Sequence, residues 1–88
     1  MYWGYIIYSD SKDRFYIGTS GVGPEIRLTR HNAGWTRSTK SGIPWEIKFV
    51  KSFDSKTEAL KWEKMVKKQK SRPFIEGLIN SEENELRG

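Results

Sequence analysis

Five side chains in this sequence could together do phosphate chemistry: Tyr5, Tyr16, Arg27, His31 and Glu63. The tyrosines lie in two apolar runs, Trp3-Gly4-Tyr5-Ile6-Ile7 and Phe15-Tyr16-Ile17-Gly18. The polar stretch Ser9-Asp10-Ser11-Lys12-Asp13-Arg14 between them marks the runs as strands of a hairpin, which can bring two phenols close together. Arg27 and His31 are spaced i, i+4 and share a helix face. An arginine offers a planar fork suited to phosphate oxygens, and a histidine titrates near neutral pH and can relay a proton. Taken singly, such residues also serve as core aromatics and surface decoration. Glu63 carries the sharper physical signal. At about 100° per helical residue, Ala59, Leu60, Trp62 and Val66 span one apolar sector, and Glu63 falls inside it, away from Lys56, Lys64 and Lys68. A carboxylate directed at a core is costly unless it is paired or bound to a metal. Arg27 is its obvious partner.

The elements that must position these residues follow from pattern and punctuation. Tyr2–Tyr8 and Arg14–Gly18 read as the hairpin strands. Ser20-Gly21-Val22-Gly23-Pro24 is a glycine-rich turn, and Pro24 suits the first position of a helix. That helix runs to about Ala33 and stops at Gly34. Residues 35–44 read as loop. Alternation over Trp45–Phe53 predicts a third strand. Ser55-Lys56-Thr57-Glu58 matches a capping box for a helix ending near Lys70, and Pro73 opens a last helix with the apolar stripe Phe74, Ile75, Leu78 and Ile79. The expected class is α/β: a small three-stranded, largely antiparallel sheet flanked by helices, in the order β-β-α-β-α-α. A single domain over residues 1–80 and a short acidic tail over 81–88 are expected.

Composition bounds the function. The chain has 88 residues, enough for one small domain. It has no cysteine and one histidine, which argues against disulfides and zinc sites. No apolar run has the length of a membrane span, and the N-terminus lacks the pattern of a signal peptide, so a soluble, cytoplasmic protein is expected. Net charge is +5, with 15 Lys/Arg against 8 Asp/Glu in residues 1–80 and one against three in 81–88. A basic body of this kind suits an anionic partner, nucleic acid foremost.

Order and spacing together resemble the GIY-YIG nuclease family, over about residues 2–80. Trp3-Gly4-Tyr5 stands where the family has Gly-Ile-Tyr, and Tyr16-Ile17-Gly18 matches its second motif. Glu25-Ile26-Arg27-Leu28-Thr29-Arg30-His31-Asn32 is similar to the family's arginine helix. Ile43-Pro44-Trp45-Glu46, Thr57-Glu58-Ala59-Leu60-Lys61-Trp62-Glu63-Lys64 and the run Lys67-Lys68-Gln69-Lys70-Ser71-Arg72 resemble its small stand-alone bacterial branch. The first motif lacks its leading glycine, and the Gly18-to-Arg27 connection is one residue longer than usual. Asn80 is the nearest counterpart of a late site asparagine, at a long spacing.

The resemblance implies a metal-dependent DNA endonuclease, structure-directed, with a role in repair or recombination. Glu63 would hold one Mg²⁺ or Mn²⁺, Arg27 would clamp phosphate oxygens, and a tyrosine would deprotonate the attacking water with help from His31. Either tyrosine could be that base. Arg30, Arg37, Lys40, Lys64, Lys67, Lys68, Lys70 and Arg72 could track a phosphate backbone. Trp35 could stack on an unpaired base, although core packing or anchoring of the loop is the more ordinary use of such a residue. The alternatives are a non-catalytic nucleic-acid-binding module that retains the fold, and a structural domain whose basic face meets an acidic protein.

Overall fold

The two tyrosine-bearing runs pair antiparallel as β1 (Tyr2–Ser9) and β2 (Arg14–Ser20). The structure, a computed structural model, describes residues 1–87. A third strand, β3 (Trp45–Phe53), pairs antiparallel with the other edge of β1, so the sheet order is β2-β1-β3. The strand with the longest apolar run thus takes the centre, where both of its faces are covered. The helices are α1 (Pro24–Asn32), α2 (Lys56–Gln69) and α3 (Arg72–Ile79), which gives the expected α/β class and the order β-β-α-β-α-α.

Strand alternation sorts the side chains into two cores. On one face Ile6, Ile17 and Phe49 pack against Trp62 and Val66 of α2, with Phe74, Ile75, Leu78 and Ile79 of α3 alongside. Phe49 and Trp62 stack nearly parallel, centroids 5.5 Å apart. On the other face Tyr5, Ile7 and Trp45 pack with Tyr16, Leu28, Ile43 and Ile47. That second face carries α1.

Local chemistry sets the helix ends. Ser55 and Ser71 accept from the backbone N–H groups of Glu58 and Phe74 and cap α2 and α3. Between those helices, Lys70 adopts a left-handed backbone, φ 47°. At the end of α1, Gly34 (φ 82°) donates to His31 O and Trp35 N donates to Arg30 O, the paired bonds of a Schellman stop.

Two expectations are corrected. Residues 35–44 are not all loop: Arg37–Gly42 form a 3-10 helix. Long-range bonds hold it, since the Trp45 indole donates to Thr39 O at 2.6 Å and Ser9 Oγ to Gly42 O at 2.6 Å. In α2 the buried stripe is Ala59, Trp62 and Val66, while Leu60 is 43% exposed. The helix lies on a narrow sheet and buries a narrow stripe. Glu63 therefore sits at the stripe's edge rather than inside it.

Glu83, Asn84 and Glu85 of the acidic segment lie along β3. Asn84 is buried: its Oδ1 accepts from Val50 N, and its Nδ2 donates to Lys48 O and Ile79 O. Glu85 accepts from Ser52 N and Oγ, and Glu83 pairs with Lys51. These contacts cover the outer edge of β3, which would otherwise present unpaired backbone groups. Gly88 lies outside the described residues.

Candidate active site

Tyr5 and Gly18 are cross-strand partners, and so are Ile7 and Tyr16. Partners point to the same face of a sheet, so both phenols project toward α1. Tyr5 is buried, at 1% exposure, and Tyr16 is half-buried. A Cβ on Gly18 would stand 2.5 Å from the Tyr5 oxygen. The glycine is therefore the floor on which the phenol rests.

His31 comes down from α1 onto the two tyrosines and is fully buried. Its Nε2 lies 2.9 Å from the Tyr5 hydroxyl, and its ring meets Tyr16 edge-on at 5.2 Å between centroids. Its Nδ1 lies 2.8 Å from Thr39 Oγ1, which in turn donates to Thr36 O at 3.2 Å. These contacts admit a one-way arrangement of the protons. A hydroxyl has one hydrogen; when Thr39 spends it on the Thr36 carbonyl, Thr39 accepts from His31 and Nδ1 carries the proton. Burial, with the nearby Arg27 charge, lowers the His31 pKa and favours the neutral ring. In that arrangement Nε2 is a bare acceptor, and Tyr5 donates to it.

Arg27 stands one turn before His31 in α1. It lies close enough to Tyr5 to oppose the rise that burial imposes on the phenol pKa, which remains raised. Its Nε is buried with no hydrogen-bond partner. Among the described residues Arg27 joins no ion pair. The expected pairing with Glu63 is corrected: Glu63 Oε2 pairs with Lys67 Nζ at 3.2 Å, one turn along α2. The reason is topological, because α1 and α2 pack on opposite faces of the sheet.

Tyr5, Tyr16, Arg27 and His31 thus meet directly. Glu63 approaches from the other layer, and its charge is the weakest of those acting on the Tyr5 phenol. The Glu63 side chain is 21% exposed. Among the described residues no three His, Cys, Asp or Glu cluster as a metal cage. A lone, partly exposed carboxylate suits a hard cation such as Mg²⁺ that keeps most of its water and takes few protein ligands.

The basic residues lie on several elements and differ in what they touch. Arg37 and Lys40 are exposed on the 3-10 helix, and Arg30 stacks on the Trp35 ring at 5.0 Å. Lys64 and Lys68 line a shallow groove on α2 with Lys61 and Met65. Lys67 is held by Glu63, and Lys70 occupies the left-handed cap. Arg72 is committed elsewhere. Its Nη2 pairs with Asp13 at 2.7 Å, and its guanidinium lies over Phe15 and Tyr8, pinning α3 to the hairpin turn. Asn80 lines a cleft with Tyr8, Phe15, Lys48 and Arg72, and neither Tyr5 nor Tyr16 lines it. Trp35 departs from the ordinary expectation that it packs inside or anchors the loop: it is 71% exposed.

Two supporting residues were not legible beforehand. Thr39 is the hydrogen-bond partner of His31 Nδ1, and nothing separates it in the sequence from the other Ser and Thr residues around it. The Asn32 side chain accepts from Trp45 N and donates to Trp45 O, at 2.6 and 3.1 Å, tying the end of α1 to the start of β3.

No curated protein and no solved structure gives a significant match to the chain. No described helix is long and apolar enough to cross a membrane. A family model described as the GIY-YIG catalytic domain matches residues 1–76. With that match over most of its length, the chain belongs to the GIY-YIG family of nucleases.

Proposed function

We propose that this protein is a metal-dependent endonuclease that hydrolyses phosphodiester bonds in DNA. The observation that carries the reading is the hydrogen-bond chain from Tyr5 through His31 and Thr39 to the Thr36 carbonyl, beside an arginine Nε without a partner among the described residues.

Tyr5 is the general base in this reading. A raised phenol pKa means that Tyr5 is neutral at rest and must shed its own proton as it takes another. His31 Nε2 is the acceptor already in place. As water attacks phosphorus, its proton passes to the Tyr5 oxygen and the Tyr5 proton passes to His31. The imidazolium is then held through Nδ1 by Thr39. Arg27 destabilises that charge, so His31 returns its proton readily. Among the described residues Tyr16 has no comparable proton acceptor; its ring braces His31 at the edge of the site. Arg27 offers its unpartnered Nε and fork to the non-bridging oxygens and offsets charge that grows in the transition state. Glu63 would hold one Mg²⁺ or Mn²⁺, and such an ion when bound stabilises the phosphate and the leaving 3′ oxygen.

Arg37, Lys40, Lys64 and Lys68 offer phosphate contacts, which position a substrate without reading its sequence. Cutting directed by DNA structure follows from this, and a role in repair or recombination suits it. The test is incubation with branched, flapped, single-stranded and duplex DNA in Mg²⁺ or Mn²⁺, beside Glu63→Gln. The expected outcome is metal-dependent cleavage by the wild type, lost in the variant while DNA affinity is kept or improved. Retained turnover in the variant would make Glu63 structural. DNA binding with no cleavage of any substrate would favour a non-catalytic binding module.

A further inference from the structure

Trp35 is the most exposed large aromatic side chain of the described residues, at 71%. Its backbone is nevertheless fixed, because its N–H closes the Schellman stop of α1 on Arg30 O at 3.1 Å. The residue that accepts that bond, Arg30, also lays its guanidinium over the indole at 5.0 Å. One ring face is thus backed by a cation, and the high exposure leaves the other open to solvent. The next residue, Thr36, supplies the carbonyl that ends the His31–Thr39 chain. The indole platform is therefore built onto the same turn that orients the candidate base pair of Tyr5 and His31.

Along the sequence around it the charge is of one sign. From Ile26 to Trp45 the sequence holds Arg27, Arg30, Arg37 and Lys40 and no Asp or Glu. A flat, open aromatic face in a purely cationic segment fits a polyanion that also carries flat rings. Unpaired nucleotides meet that description, and duplex DNA keeps its base faces stacked inside. An acidic peptide would use the cations and leave the indole unused.

We infer that Trp35, backed by Arg30, is a stacking platform for an unpaired base of the substrate strand, and that the preferred DNA has single-stranded nucleotides beside the scissile bond. This rests on the nuclease reading above and narrows its substrate. Arg37 and Lys40 take the flanking phosphates, and Arg27 takes the scissile one.

The test is binding without metal, so that catalysis does not enter. Labelled dT20 and a hairpin duplex are titrated against wild type, Trp35→Ala and Trp35→Phe at one salt concentration. The expected result is a loss of about tenfold or more for dT20 with Trp35→Ala, little change for the duplex, and recovery of most of the loss in Trp35→Phe. Quenching of tryptophan fluorescence by dT20 should also vanish in Trp35→Phe. Equal losses on both probes, no loss on either, or quenching that persists without Trp35 would overturn the platform. In those cases the wild type still binds and cuts DNA, and the nuclease reading stands. A wild type that binds neither probe would overturn both.

Discussion

The Tyr5 hydroxyl lies against the backbone of Gly18, its cross-strand partner, where a Cβ would come within 2.5 Å of the phenol oxygen. The tyrosine that bonds to His31 is thus seated by the glycine of the second motif. Gly18→Ala should push the phenol off His31. A displacement on the order of an ångström at a reacting group can cost about a hundredfold in rate. Single-turnover cleavage should fall by about that factor while DNA affinity changes little. Wild-type rates in Gly18→Ala would remove Tyr5 from the mechanism.

Two other glycines separate packing from chemistry. A Cβ on Gly4 would meet the buried Trp62 ring at 2.5 Å, so Gly4→Ala should cost about 1–3 kcal/mol of stability through overpacking. A Cβ on Gly77, inside α3, meets nothing within 4 Å. Gly77→Ala should add about 0.5–1 kcal/mol by helix propensity alone. Denaturant titrations of the two variants should move in opposite directions.

His31 should leave a pH signature. Burial and Arg27 hold its pKa below the ordinary 6.5. Below pH 6.5 the unfolded chain then binds more protons than the native one. The His31 contribution to stability is fully present above 6.5 and is lost as pH falls through the lower native value. The proposed mechanism also needs the neutral ring, so kcat/KM should stay level below pH 6.5 before an acid limb appears. Thr39→Val frees Nδ1 and the tautomer. It should lower kcat and shift that limb, with Thr39→Ser restoring both. A limb unchanged in Thr39→Val would leave Thr39 without a role in orienting the ring.

Asn84 closes the open edge of β3 through Val50 N, Lys48 O and Ile79 O. Asn84→Ala leaves those backbone groups without their partner, at a cost of about 2 kcal/mol. The melting temperature should drop by on the order of 10 °C. Size-exclusion chromatography should show more self-association, because an uncovered strand edge templates pairing. An unchanged melt would mean that water replaces Asn84 without loss.

Much of this molecule was legible from neighbours in the chain. Two apolar runs around a polar turn placed the hairpin strands, alternation placed the third, Pro24 and Gly34 bounded α1, and Ser55 opened α2, because such patterns and caps depend on residues close together in the chain. The i, i+4 spacing placed Arg27 and His31 together for the same reason. What joins distant segments was decided only by the tertiary structure. The Tyr5–His31 bond depends on which face of β1 receives α1. The Glu63 partner turned on the same fact: α2 took the opposite face, so the carboxylate paired with Lys67 in its own helix rather than with Arg27. Thr39 gained its role from a 3-10 turn closed by Trp45 and Ser9, Trp35 was left in solvent by a helix stop that fixed its backbone, and Arg72 was drawn to Asp13 across the hairpin turn. Composition and spacing supply the chemical groups, but the direction of each proton and the partner of each charge follow from register and layer, which no local pattern encodes.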